Sequence, residues 1–176
     1  MRTYRCSCGY TKTEPVDYEG VDDALFDSAL FDSTFEKFTV RVVATEQTEA
    51  GALQTDAILC FDGDLLSVAG TVLGEEVSRT ESDAELVEYY KSILLFFRHL
   101  SSQMLTFNKT DRIYYAEGAV QFSDRQMGSW ECSNIGIKIS GNRITYAACD
   151  YVAGHDAGRS GHMELTLYGY GNTNLQ

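Results

Sequence analysis

The sequence predicts an α+β fold: a mostly antiparallel, curved sheet of about six or seven strands packed around one long central helix. Three observations carry that expectation. A capping signal followed by an apolar stripe at helical spacing marks one long helix over residues 82–107. Runs rich in β-branched and aromatic residues recur on both sides of it. Tight-turn sequences such as Asp62-Gly63-Asp64 and Ser140-Gly141-Asn142-Arg143 punctuate those runs, so neighbouring strands pair antiparallel.

Taken in chain order, residues 20–37 read GVDDALFDSALFDSTFEK. Val21, Leu25, Phe26, Ala29, Leu30 and Phe38 recur at helical spacings with acids between them, which predicts a short amphipathic helix. Residues 39–45, TVRVVAT, predict a strand, and EQTEAGALQTD behind them a loop. Residues 57–61 and 65–73 flank Asp-Gly and predict a hairpin.

The long helix follows. Ser82 and Glu85 stand at capping-box spacing, and Leu86, Tyr90, Ile93, Phe97, Leu100, Met104 and Phe107 step by four and three. Phe97 and Leu100, at its middle, are expected to be buried. Four strands then complete the chain, over residues 112–122, 129–139, 144–152 and 163–170. The second of these changes phase near residues 134–136, where a bulge would let both Trp130 and Ile137 face inward.

A chain of 176 residues with 44% apolar content is long enough to bury one core. The reading is a single domain over 1–176, with residues 1–19 an extension and 20–170 the α+β core. The longest nearly apolar run, residues 93–97, is far short of the ~20 residues that cross a bilayer, so no membrane partner is expected. Five cysteines without a leader-like apolar stretch suit reduced thiols and a cytoplasmic location.

Charge is the strongest compositional signal. Residues 14–88 hold nineteen acids against three bases, while the rest of the chain holds seven against eleven. Such a field repels nucleic acid and speeds association with a basic protein. The leading functional expectation is therefore an acidic interaction protein of inhibitor, immunity or nucleic-acid-mimic type. Its partner-binding residues would be Asp22, Asp23, Asp27, Asp32 and Glu36 on the first helix. The plainer alternative is a solvated acidic face.

Residues 82–153 resemble the NTF2-like, cystatin-related α+β cone family. The resemblance sits in a helix, then EGAVQF, then GSWECSNIGIKISGNRITYAACDYVAG. It implies a concave face enclosing a pocket for a small apolar or aromatic molecule, and an isomerase, cyclase or dehydratase type of chemistry. Asp150, placed on one strand face with Ile144, Tyr146 and Ala148, would be its acid or base, its pKa raised by burial. Tyr115, Glu117, His99 and Trp130 could join it. A hot-dog-like sheet around the same helix is the other arrangement, and a strand-end Asp bonded to backbone is the plainer reading of Asp150. An assembly subunit, or a homo-oligomer, is a further alternative.

No cofactor is expected, because no phosphate-binding loop or nucleophile elbow occurs. No metal site is expected either. Cys6-x-Cys8 is a tight pair without a second knuckle, and only His155 and His162, in a glycine-rich stretch, could complete four ligands. Cys60, Cys132 and Cys149 fall in apolar strands and read as small buried hydrophobes.

Overall fold

The computed structural model describes residues 2–5, 11–14, 29, 33–124, 128–153 and 159–171. Strands β1 (Arg2–Arg5) and β2 (Thr11–Glu14) pair with each other. All other strands among the described residues form one ten-stranded antiparallel sheet. Its first half is the meander β3 (Lys37–Thr48), β4 (Gly51–Asp62), β5 (Leu65–Val72) and β6 (Glu75–Glu81). Helix α1 (Ala84–Leu94) follows. The second half is β7 (Leu105–Asn108), β8 (Ile113–Ala116), β9 (Val120–Asp124), β10 (Gly128–Ser140), β11 (Arg143–Ala153) and β12 (Ser160–Tyr168). The two halves join where β12 pairs with β3 over nine residues, leaving β6 and β7 as the edges.

Turn chemistry explains the first meander. Gly63 takes φ +61° at the Asp62/Leu65 turn, and Leu73 and Gly74 both take positive φ between β5 and β6. These are the mirror-image turns whose twist matches that of the paired strands. In β10 the register shifts between Ser133 and Gly136, with Asn134 at φ +50°. That is the expected bulge, and it carries Ile137 into the core.

The α+β expectation is corrected to a mostly-β architecture: among the described residues a ten-stranded sheet with the short helix α1 replaces six or seven strands around a long helix. The helix stops at Leu94, and Leu95 leaves the helical conformation at ψ +32°. Phe96–His99 and Ser102–Met104 make 3₁₀ turns, and Leu105–Asn108 enters the sheet as β7. The physical reason is burial. Leu94, Leu95, Phe96, Phe97 and Leu100 are all buried, so this stretch needs contact on every side rather than along one helical stripe. The helix is capped by Asp83, not Ser82, its Oδ1 accepting from the amides of Glu85 and Leu86. The expected loop EQTEAGALQTD is instead the β3–β4 hairpin, paired out to Thr48 and Gly51. The expected strand 112–122 is divided into β8 and β9, which pair with successive parts of β10.

Phe97 (0% exposed) and Leu100 (6%) are buried, as their spacing suggests. Phe97 packs on Phe35 at 5.9 Å, Phe35 on Tyr170 at 5.5 Å, and Phe38 stacks on Phe61 at 4.7 Å. The Tyr170 hydroxyl donates to the Ile144 carbonyl, tying the end of β12 to β11. Of the first predicted helix, only Ala29 and the 3₁₀ turn Ser33–Glu36 are described. No helix among the described residues is long and apolar enough to cross a membrane.

Candidate functional site

Register determines which side chains share the inner face of β3–β6. One row runs Val42, Ala57, Gly70, Val77 across the four strands. The next runs Val40, Leu59, Val68, Arg79. Alanine and glycine at the middle of the first row leave the sheet low there. Gly70 cannot be enlarged, because it has φ +126° and a Cβ would stand 2.4 Å from the Asp56 carbonyl oxygen. Tyr90, Ile93 and Leu94 of α1 face this floor. Between helix and sheet lies a partly open cleft of about 510 Å³, within the usual range for small-molecule sites.

Two of its charged groups, Glu46 and Arg79, stand at diagonal corners, three strands across and six residues along the sheet; Thr55 and Glu75 also line it. At one corner, Glu46 of β3 is only 5% exposed. Its Oε2 accepts from the Tyr151 hydroxyl at 3.0 Å, and its Oε1 from Arg159 Nε at 2.9 Å and Nη2 at 2.8 Å. Glu46, Gly161 and Tyr151 occupy one row on β3, β12 and β11. A Cβ on Gly161 would meet the Tyr151 ring at 2.7 Å, so glycine there lets the tyrosine lie across β12. Burial, and then the neighbouring Glu46 charge, push the Tyr151 phenol well above its ordinary pKa. At the other corner, Arg79 Nη2 donates to the Tyr90 hydroxyl at 3.3 Å.

The pocket expected around Asp150 is not assembled. Register shifts in β10–β11 set Ile144 inward, while Asp150, Tyr146 and Val152 face outward. Asp150 accepts from Asn134 Nδ2 at 2.7 Å and contacts His162 Nδ1 at 2.7 Å, on a shallow outer depression. Those hydrogen bonds, Asn134 first, hold its pKa below the ordinary carboxylate value. Burial was to raise it; an exposed carboxylate with two donors does the reverse. Trp130 faces inward and packs on Tyr151 at 5.4 Å. Tyr115 is 39% exposed. Glu117 accepts from Thr106, and His99 stands exposed on its 3₁₀ turn.

Cys6, Cys8, His155, Asp22, Asp23, Asp27 and Asp32 lie outside the described residues, and Glu36 is exposed. No three His, Cys, Asp or Glu side chains among the described residues are grouped to hold a metal ion. Cys149 and Cys132 are buried side by side. Their mutual hydrogen bond and burial drive the Cys149 pKa far up, which keeps that thiol protonated.

Glu46 and Arg159 were missed. Glu46 fell in the stretch read as a loop, although Val40, Val42, Ala44 and Glu46 share one parity. An acid continuing an apolar face was the available signal. No protein-family model matches the chain, and no curated protein sequence matches it.

Proposed function

We propose that this protein binds a small, largely apolar molecule in the cleft between β3–β6 and α1. The observation that carries this reading is the cleft itself: about 510 Å³ whose lining is mostly apolar, with Val42, Leu59, Val68, Val72, Val77 and Ile93 as its walls. Binding fits the chemistry better than catalysis. Glu46, the buried carboxylate at the cleft, is already occupied by three hydrogen bonds, and the Cys149 thiol is held neutral. The test is titration with N-phenyl-1-naphthylamine, a neutral apolar dye that brightens out of water. Saturable binding of one dye per chain is expected, and Leu59→Trp should abolish it while far-UV circular dichroism stays unchanged. Dye binding indifferent to Leu59→Trp would refute the reading.

A second reading, binding of a basic protein by the acidic half, is favoured by exposed acids that have no basic partner among the described residues. Asp64 in the β4–β5 turn, Glu75 and Glu76 on β6, and Asp83 at the start of α1 are such residues. Charge reversal of Asp22, Asp23 and Asp27 to lysine should slow association with such a partner and flatten its salt dependence. An unchanged association rate at low and high salt would reduce the acidic half to a solubility surface.

A further inference from the structure

We infer that the ligand is a monoanionic amphiphile, an apolar chain or ring system ending in a carboxylate, with its head held by Arg79 and Tyr90. This rests on the cleft reading above and adds the chemistry of the head group. The acid-rich half has three basic side chains. Lys37 pairs with Asp62 at 2.8 Å, and Arg41 pairs with Asp56 at 2.8 Å. Arg79 is the exception: among the described residues it has no carboxylate partner and one hydrogen bond, to the Tyr90 hydroxyl.

Its neighbours do not supply the missing anion. Glu76 accepts from Thr71 on the opposite face, and Glu81 accepts from the amides of Ser82 and Asp83. Glu75 lines the same cleft, but four residues along β6 puts it ~13 Å away by strand rise. Arg79 therefore ends the apolar row Val40–Leu59–Val68 with an exposed guanidinium that lines the cleft. A planar fork of donors suits a carboxylate, and Tyr90 holds the guanidinium in place. A molecule lying along that row buries its apolar body over Leu59 and Val68 and presents its charged end to Arg79.

Competition against bound N-phenyl-1-naphthylamine tests this, using decanoate, decanol and decylamine as chain-matched probes at neutral pH. Decanoate should displace the dye at a concentration at least about tenfold below decanol, since a charge-assisted hydrogen bond is worth at least that ratio. Arg79→Gln should erase the preference, and Arg79→Lys should restore part of it, each competition being read against that variant's own dye affinity. If decanoate and decanol compete equally, or Arg79→Gln changes nothing while the dye still binds, the head-group inference fails and the cleft reading stands. Decylamine competing best would also overturn it, by assigning the head to a carboxylate. A dye that never binds saturably removes the cleft reading and this inference together.

Discussion

The Tyr151 hydroxyl reaches the Glu46 carboxylate across Gly161, so β11 and β3 are bonded over the strand between them. This row straddles the junction of the two meanders, and its two donors to Glu46 come from residues 105 and 113 positions away. The contact requires glycine at 161, since the Thr45 carbonyl oxygen would also stand 2.5 Å from a Cβ there.

Tyr151→Phe should accordingly destabilise the fold by about 1–3 kcal/mol, the cost of leaving a buried acceptor short of one donor. Gly161→Ala should cost about 1–3 kcal/mol by forcing backbone and ring apart. Urea unfolding of each variant checks both values. A neutral Gly161→Ala would mean that the ring does not lie across β12.

Phe97→Ala should cost roughly 3–5 kcal/mol, because the ring is fully buried against Phe35 and Phe96 and the site cannot collapse freely. Thermal or urea unfolding measures it. A loss below 1 kcal/mol would place Phe97 outside the packed core.

Asp150 gives a pH dependence whose sign is determined by its hydrogen bonds. Its folded pKa lies below the ordinary value of about 3.9, so its stabilising contribution is present above that value. The contribution is lost as pH falls through the lower, folded pKa. Asn134→Ala removes the largest cause and should move the Asp150 titration back toward ordinary. Carboxyl-carbon NMR titration of both proteins reads the shift directly, and no movement would assign the effect to His162 alone.

Much of the antiparallel architecture was legible because turn residues announce hairpins. Asp62-Gly63 and Ser140-Gly141 could be read from chemistry alone. Leu73-Gly74 was not read as a turn, since leucine rarely takes the positive φ it has here. The edge strand β6, EEVSRTE, exposes most of its side chains and lacks the alternation that marks a strand. Its charges suit an unpaired edge, where they discourage association with other sheets. The long helix was misread for a different reason. Phe97, Leu100, Met104 and Phe107 keep helical spacing, yet two 3₁₀ turns and a strand satisfy the same spacing once the four consecutive side chains Leu94 to Phe97 are all buried. The cleft was not legible because it depends on register: Ala57 and Gly70 become neighbours only when β4 and β5 pair. Arg159 could not be matched to Glu46 across 113 positions without the fold.

The most direct test of the cleft is methyl NMR of the isotopically labelled protein with and without saturating N-phenyl-1-naphthylamine. The expected result is large shifts confined to the methyls that line the cleft, those of Val42, Leu59, Val68, Val72, Val77 and Ile93 among them. Ile137 and Leu165, buried on the other half of the sheet, should stay in place. Shifts centred on those two instead, or no saturable shift at any methyl, would contradict a ligand site between β3–β6 and α1.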